Sequence, residues 1–249
     1  MNTLYIVVPC YNEEEVLPIS ARVMGDYLAS LIAGGEITEH SRVMFVDDGS
    51  RDKTWEIISG LCDENPIFAG VKLSKNRGHQ NALMAGLVTA NEKADATVSI
   101  DADLQDDVNA IGEMVKKYNA GADIVCGVRS SRETDTFLKR TTAQGYYMLM
   151  NIFGAKLIYN HADFRLLSRE ALCRLCRYGT DDLFLRGLIT KLGFKPEIVS
   201  YSRRAREAGE SKYSVSKMLR LALRGIQCGR MQPAAEAQVG ELYIEKVLM

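Results

Sequence analysis

The sequence predicts an α/β fold, built on a mostly parallel β-sheet with helices on both faces. Short runs rich in β-branched residues alternate with longer segments of helical periodicity through the first half of the chain. These runs are nearly continuous in apolar residues, as in strands that helices cover on both sides. A length of 249 residues with 47% hydrophobic residues is enough for one large domain.

Five strands, separated by helices, are predicted in the first half. They lie at residues 4–9, 42–48, 68–74, 96–101 and 123–128. Asn12, followed by three glutamates, is the predicted N-cap of the first helix. Asp48 or Ser50 is the corresponding candidate for the second helix, and either residue can cap while its neighbour binds a ligand.

The second half has a different pattern. It predicts a long helix at 134–156, which offers surface for a homo-oligomer, then a basic loop at 201–214 and an amphipathic helix at 214–227. We place the domain boundary between residues 227 and 228, because the composition changes after Gly229. Residues 228–249 are expected to form a poorly ordered tail.

The bulk properties exclude several classes of protein. A formal net charge of −1 gives no overall attraction to nucleic acid. Six scattered cysteines and the lack of a secretory signal favour a reducing, cytoplasmic setting. No apolar stretch is long enough to span a membrane. The first strand is followed by P-C-Y-N-E instead of G-x-G-x-x-G, which disfavours a nicotinamide oxidoreductase.

Acidic residues follow two of the predicted strands, at the edge where open α/β sheets bind their ligands. Asp101 and Asp103 offer hard oxygen ligands for Mg²⁺ or Mn²⁺ shared with substrate phosphates, with Gln105 beside them. The alternative is a solvated acidic turn. Asp47 and Asp48 end another strand, where a carboxylate can accept hydrogen bonds from a nucleobase or a ribose.

Arginines and a lysine lie on loops that should approach the acidic edge. Arg129 and Arg132 follow the fifth strand, and Arg206 and Lys212 lie in the basic loop. Guanidinium groups bind phosphate through two hydrogen bonds, so these residues indicate an anionic ligand. A solvated basic loop is the alternative. The helix at 214–227 equally fits the headgroup region of a membrane or a packed core.

Six motifs occur in order along the chain: VVPCYNEEEVL (7–17), VDDGSRDKT (46–54), LSKNRGHQNALMAG (73–86), SIDADLQDD (99–107), DFRLLSRE (163–170) and GESKYS (209–214). Taken together, they resemble the inverting glycosyltransferase family typified by dolichyl-phosphate mannose synthase. The nearest likeness within it is to bacterial polyprenyl-phosphate (bactoprenol) glucosyltransferases, and it covers about residues 4–226.

The resemblance implies a GT-A fold and a role for each matching residue. It implies that Asp101, Asp103 and Gln105 hold the metal, and that Asp103, Asp163 and Arg206 act in catalysis. The donor-binding candidates are Pro9, Tyr11, Glu13, Asp47, Asp48, Lys75, Asp101, Ala102 and Gln105. The candidates for binding the acceptor phosphate are Arg129, Arg132, Arg165, Arg206, Ser211 and Lys212.

The expected reaction is metal-dependent transfer of a hexose, with glucose favoured, from a UDP-sugar to undecaprenyl phosphate with inversion. It would take place at the cytoplasmic face of the plasma membrane, or in the cytoplasm without an anchor. A lipid phosphate is already largely anionic at neutral pH, so Asp163 need not act as a base, although an alcohol acceptor would need one. Asp163 can instead orient Arg165 or shape the sugar pocket, and a purely structural pair with Arg165 is the other alternative. The alternatives are a soluble or glycan hydroxyl acceptor, and an inactive nucleotide-sugar-binding domain.

Overall fold

The computed structural model describes residues 1–130, 158, 160–180, 183–202, 231–236 and 239–249, which contain eight strands and six α-helices. The strands are β1 (Leu4–Cys10), β2 (Arg42–Asp47), β3 (Phe68–Leu73), β4 (Ala96–Ser99), β5 (Ile124–Arg129), β6 (His161–Ser168), β7 (Glu197–Tyr201) and β8 (Ile244–Leu248). The helices are α1 (Leu17–Ala33), α2 (Thr54–Glu64), α3 (His79–Asn91), α4 (Ala110–Asn119), α5 (Arg169–Cys176) and α6 (Leu185–Leu188), followed by a 3₁₀ turn (Ile189–Lys191).

The eight strands form one mixed sheet in the order β7-β5-β6-β4-β1-β2-β3-β8. Strands β4, β1, β2 and β3 are parallel neighbours, and β5 pairs in parallel with β7. Strand β6 lies antiparallel between β4 and β5, and β8 lies antiparallel on the outer edge of β3. Six of the eight described strands therefore run in one direction. The predicted α/β fold with a mostly parallel sheet is confirmed, as are the five predicted strands.

Each face of the sheet has its own hydrophobic core because successive side chains of a strand point to opposite faces. On β1, Leu4, Ile6 and Val8 pack into the core beneath α1, α2 and α4. Tyr5 and Val7 of the same strand pack into the other core, beneath α3 and α5. Helices on both faces leave the strand ends as the accessible parts of the sheet.

The predicted N-cap at Asn12 is wrong. Helix α1 begins at Leu17, and Val16 at its N-cap position makes no side-chain capping hydrogen bond. Asn12 instead adopts a positive φ of 54°, and its side-chain oxygen accepts a hydrogen bond of 2.9 Å from the backbone N–H of Arg51. This residue therefore joins the loop after β1 to the loop after β2.

Neither candidate cap of the second helix is correct. Helix α2 begins at Thr54, several residues after Asp48 and Ser50, and Lys53 holds its N-cap position. Asp52 accepts hydrogen bonds from both the backbone N–H and the hydroxyl of Thr54, so it stabilises this helix start. Asp48 and Ser50 remain in the loop that precedes the helix.

The prediction of a poorly ordered tail is wrong for residues 244–248, which form β8 and pair with β3. Other predictions lie outside the described residues: the helices at 134–156 and 214–227, most of the basic loop, and the boundary between residues 227 and 228. Within the described part of the chain, no helix has the length and apolar character needed to cross a membrane.

Candidate active site at the carboxyl ends of the strands

Asp47, at the end of β2, has a buried carboxylate that the protein satisfies only in part. Its Oδ1 accepts a hydrogen bond of 3.1 Å from the backbone N–H of Ser50. Its Oδ2 is buried without a hydrogen-bond partner among the described residues. Burial raises the pKa of this carboxyl group. A ligand N–H or hydroxyl would satisfy Oδ2 and stabilise the ionised form, so the geometry fits the predicted contact with a nucleoside.

Asp48 organises the loop after β3. Its two carboxylate oxygens accept hydrogen bonds from the backbone N–H groups of Arg77, at 2.6 Å, and Gly78, at 2.9 Å. The loop approaches so closely that a Cβ added to Gly49 would lie 2.6 Å from backbone atoms of Lys75 and its neighbour. Gly49 also has a φ of +65°, so both the contact and the conformation require glycine.

The remaining donor-side candidates lie around this loop and the end of β1. Pro9 is buried within β1, while Tyr11 directly after the strand is 40% exposed. The backbone N–H of Glu13 donates to the Thr54 hydroxyl at 2.8 Å. The Lys75 ammonium lies 4.9 Å from the ring centroid of Tyr243, just before β8. The ends of β1, β2 and β3 thus bring these predicted residues to one edge of the sheet.

The acidic cluster follows β4. The Asp101 side chain is 36% exposed, and the backbone N–H of Gln105 donates to Asp103 Oδ1 at 3.2 Å. Ala102 is buried and its carbonyl oxygen accepts a hydrogen bond from Ser20. Desolvation by burial and the nearby carboxylates of Asp163, Asp106 and Asp103 raise the pKa of Asp101, although His79 opposes this shift. A cation at this cluster would offset the repulsion between its negative charges.

The donor set suits Mg²⁺ or Mn²⁺ held jointly with a ligand. Within the described ranges, no group of three or more His, Cys, Asp or Glu side chains is arranged to hold a metal ion by itself. Asp101 and Asp103 provide hard carboxylate oxygens, and Mg²⁺ sites commonly combine one or two carboxylates with substrate phosphates. The two aspartates therefore fit a metal that needs a diphosphate to complete its coordination.

Asp163, on β6, accepts hydrogen bonds from three side chains. Arg186 of α6 donates from Nε to Oδ1 at 3.2 Å and from Nη2 to Oδ2 at 3.0 Å. Arg165 donates from Nη2 to Oδ1, and Gln80 of α3 donates to Oδ2 at 3.3 Å. Burial disfavours the charged carboxylate, but the two arginines outweigh it and hold the pKa of Asp163 well below its usual range. Asp163 and Arg165 are therefore in direct contact, which a role for Asp163 in orienting Arg165 requires.

His79 connects Asp163 to the acidic cluster. Its Nε2 atom lies 3.6 Å from Asp101 Oδ1 and 3.8 Å from Asp163 Oδ2. The side chain is 43% exposed and stands at the first residue of α3. The two aspartates that the sequence assigned to different substrates thus both lie within 4 Å of the same imidazole nitrogen.

The predicted acceptor-side cations have different surroundings. Arg129 forms an ion pair with Asp106 at 3.2 Å, and the hydroxyl of Tyr201 donates to the same carboxylate at 2.7 Å. Arg165 is only 1% exposed, which leaves it little access to a ligand phosphate. The other candidates, Arg132, Arg206, Ser211 and Lys212, lie outside the described residues.

The sequence did not single out Arg186, His79 or Gln80. Arg186 lies in the otherwise apolar run LFLRGLI, and a charge inside such a run is a signal that it has a buried partner. His79 and Gln80 lie within a recognised motif, but nothing in their spacing from Asp163 shows that they meet it. Their proximity depends on how α3 packs beside β6.

Comparisons with known proteins agree with this geometry. The sequence profile described as "Glycosyl transferase family 2" matches residues 5–175. The chain belongs to this family. It is 50% identical over 230 residues to the uncharacterized glycosyltransferase YkoT of Bacillus subtilis, a match that covers 92% of this chain and 68% of YkoT. It is 38% identical over 223 residues to the prophage bactoprenol glucosyl transferase homolog of Escherichia coli, covering 89% and 70% of the two chains.

The fold also matches solved structures of this kind of enzyme. Glucosyl-3-phosphoglycerate synthase from Mycobacterium tuberculosis, in complex with Mn²⁺, UDP-glucose and phosphoglyceric acid, superposes with a TM-score of 0.57 at 18% identity. The match covers 91% of this chain and 78% of that one. The family 2 chain is therefore a glycosyltransferase with the GT-A fold, and its resemblance to bactoprenol glucosyltransferases is confirmed.

Proposed function

We propose that this glycosyltransferase transfers glucose from UDP-glucose to a polyprenyl phosphate, such as undecaprenyl phosphate, with inversion at the anomeric carbon and with Mg²⁺ or Mn²⁺. The relative in Escherichia coli that carries the name bactoprenol glucosyl transferase homolog supports the acceptor and the sugar. The GT-A neighbour in complex with Mn²⁺ and UDP-glucose supports the donor and the metal. A lipid acceptor would place the reaction at the cytoplasmic face of the plasma membrane, with the protein at the membrane surface.

The hydrogen bonds and the lowered pKa of Asp163 are the observation that favours a phosphate acceptor over a hydroxyl acceptor. A hydroxyl acceptor must lose a proton as it attacks, so it needs a general base with a pKa near the working pH. Asp163 is the carboxylate that the resemblance assigns to this role, but both of its oxygens already accept hydrogen bonds from arginines. With a lowered pKa it is a poor base. An acceptor that is already an anion, such as a phosphate monoester with a second pKa near 6, needs no such base.

The donor half of the reaction uses the edge formed by β1, β2 and β4. Asp47, with its unsatisfied buried Oδ2, is placed to bind the base or the ribose. Asp101 and Asp103 would hold the divalent ion, which supplies positive charge to the leaving diphosphate when bound. An oxygen of the acceptor phosphate forms a bond to the anomeric carbon, the bond from that carbon to the diphosphate breaks, and its electron pair leaves with UDP. Attack from the opposite face gives inversion.

The experiment that tests this proposal measures transfer of labelled sugar from a panel of UDP- and GDP-sugars to undecaprenyl phosphate, with Mg²⁺, Mn²⁺ or EDTA. We expect label from UDP-glucose in the lipid fraction, and loss of at least about 100-fold in rate with EDTA or in Asp103→Asn, the scale reported for losing one electrostatic contact to the transition state. Asp107→Asn is the matched control, because Asp107 belongs to the same acidic loop but accepts hydrogen bonds from Asn109.

Three other outcomes would contradict different parts of the proposal. Transfer to a soluble sugar or to a prenyl alcohol, but not to the prenyl phosphate, would identify a hydroxyl acceptor. Binding of a UDP-sugar without transfer to any acceptor would identify an inactive nucleotide-sugar-binding domain. Equal activity of Asp103→Asn and the wild type would show that Asp103 takes no part in catalysis.

A further inference from the structure

Tyr243, directly before β8, lies against the loop that follows β3. Its carbonyl oxygen accepts a hydrogen bond of 2.8 Å from the backbone N–H of Ser74. The centroid of its ring lies 4.9 Å from the Lys75 ammonium and 4.0 Å from the guanidinium carbon of Arg77. The pairing of β3 with β8 therefore continues into the loop, where one aromatic ring contacts two cations.

The backbone on both sides of this contact is irregular. Tyr243 has a φ of 55°, a left-handed conformation that is rare for a bulky residue. The register between β3 and β8 shifts between Lys72 and Leu73, at the end of β3, and such a shift re-aims the side chains next to it. Conformations of this kind persist where the surrounding contacts hold them, and they are commonest at functional sites. The Tyr243 ring is thus held in a defined place.

The loop that Tyr243 contacts lies beside the candidate nucleoside contact at Asp47. A Cβ added to Gly49, two residues after Asp47, would lie within 2.9 Å of backbone atoms of Lys75. Asp48 anchors the same loop through hydrogen bonds from its backbone N–H groups. The end of β2 therefore holds the loop on one side, and Tyr243 holds it on the other.

Lys75 keeps its positive charge available to a ligand. Its side chain is exposed, and within the described ranges its ammonium forms no ion pair with a carboxylate. An aromatic ring attracts a cation through its quadrupole, so it fixes the ammonium without neutralising it. Carboxylates line this edge of the sheet after β2 and β4, and a lysine beside them favours the binding of an anion such as a diphosphate.

We infer that Tyr243 is a positioning residue of the donor site, whose ring holds Lys75 in place to bind the anionic nucleoside diphosphate of the donor. The inference rests on the proposed function and extends its donor site to the segment at 243–248. This segment lies beyond residues 5–175, which the family profile matches. Tyr243 acts through Lys75 and makes no contact with the reacting atoms.

The test measures the Kd of the full chain for UDP and for GDP by calorimetry, with Mg²⁺ present. We expect Lys75→Ala to raise the Kd about tenfold or more, the scale of losing a hydrogen bond to a charged group. Tyr243→Leu should raise it about twofold to fivefold, the scale of one cation–π contact at an exposed site. Tyr243→Phe keeps the aromatic face and should restore the Kd of the wild type.

A double-mutant cycle separates positioning from a general structural role. If Tyr243 acts through Lys75, adding Tyr243→Leu to Lys75→Ala should weaken nucleotide binding no further. A ring that only stabilised the fold would weaken binding equally in both backgrounds. The melting temperature of each variant, measured alongside, shows that the binding experiment is made on folded protein.

Glu245→Gln is the matched control. Glu245 lies on β8, two residues after Tyr243, and its carboxylate pairs with Lys72 of β3 at 3.1 Å. The substitution removes a charged contact between the two strands but leaves the ring of Tyr243 on the loop. It should keep the Kd within about twofold of the wild type, since an exposed ion pair contributes little.

Failure of the inference and failure of the proposed function give different results. If the wild type binds UDP and either Lys75→Ala or Tyr243→Leu has the same Kd, the inference is wrong and the proposed function stands. The inference is equally wrong if Tyr243→Phe or Glu245→Gln weakens binding as much as Tyr243→Leu does, or if the cycle shows equal losses in both backgrounds.

The panel of two nucleotides tests the donor itself. Tighter binding of GDP than of UDP would contradict the proposed donor, and the same variants would then decide the inference with GDP. If the wild type binds neither nucleotide, the proposed function fails and the inference fails with it.

Discussion

Adjacent residues of the same type have different roles in this site. Asp47 and Asp48 are both buried at the end of β2, and burial raises the pKa of each. Asp48 accepts hydrogen bonds on both oxygens from the loop after β3, whereas Asp47 leaves one oxygen without a partner among the described residues. Asp48 therefore supports the loop, whereas Asp47 keeps one buried acceptor oxygen that the described residues do not satisfy. A run of two aspartates in the sequence does not show this division.

Substitution Asp48→Asn tests the supporting role. The amide keeps one acceptor oxygen but turns an NH₂ group towards the backbone N–H of Arg77 or Gly78, so one buried donor loses its partner. We expect the free energy of unfolding to fall by about 1–3 kcal/mol, and the affinity for UDP to fall because the loop from Lys75 to Gly78 loses its anchor. Urea denaturation and calorimetric titration with UDP measure the two effects.

The control for this substitution is Asp63→Asn, which changes an exposed aspartate on α2 and should alter neither quantity. If Asp48→Asn matched this control in both measurements, Asp48 would not be the anchor of the loop. Weaker UDP binding without loss of stability would instead indicate that Asp48 contacts the donor itself.

Helix α3 packs very closely against the sheet. The residue that packs against the sheet at its centre is Gly86, where an added Cβ would lie 2.5 Å from side-chain atoms of both Val7 and Val46. This approach lets α3 lie directly on β1 and β2. Since His79 and Gln80 are the first two residues of the same helix, the packing at Gly86 also sets their position beside Asp163.

Substitution Gly86→Ala should therefore destabilise the protein by about 1–3 kcal/mol, the usual effect of overpacking a filled core. The matched control is Gly60→Ala in α2, where an added Cβ has nothing within 4 Å. This change should be neutral or stabilising by about 0.5–1 kcal/mol, because alanine favours the helix over glycine. Thermal unfolding of both variants measures the difference, and equal melting temperatures would contradict the tight contact.

The sequence predicts local elements better than their arrangement. The alternation of apolar runs and helical segments is a local pattern, so β1 to β5 could be predicted from it. The insertion of β6 between β4 and β5, in the opposite direction, depends on pairings between distant residues that no local pattern records. The acidic residues at the strand ends were predicted by the rule for open α/β sheets. Arg186 was not, since it reaches Asp163 only through the packing of α6.

The net charge of the molecule is close to zero, but its acidic and basic side chains are grouped on different elements. The formal net charge is only −1, yet carboxylates gather after β2 and β4 while arginines gather on β5, β6 and α6. The two groups meet at Asp163 and His79. A site of this kind can bind two anions, a diphosphate through a shared cation and a phosphate through arginine, without a strongly basic surface.

Buried ionisable groups should make the stability of the whole fold depend on pH, and His161 allows a clear test. The residue is 5% exposed, and neither ring nitrogen has a hydrogen-bond partner among the described residues. Burial and the nearby charge of Arg165 hold its pKa well below 6.5. In the unfolded chain the imidazole binds a proton once the pH falls below about 6.5, while in the folded protein it stays neutral.

This difference destabilises the folded state as the pH falls through that range. Because unfolding then takes up a proton, the free energy of unfolding should decrease by up to about 1.4 kcal/mol for each pH unit. His161→Leu removes this contribution, so urea denaturation between pH 7.5 and 4.5 should give a shallower dependence than in the wild type. His40→Leu, which removes an exposed imidazole, is the control. An equal flattening in both variants would mean that burial of His161 does not cause the effect.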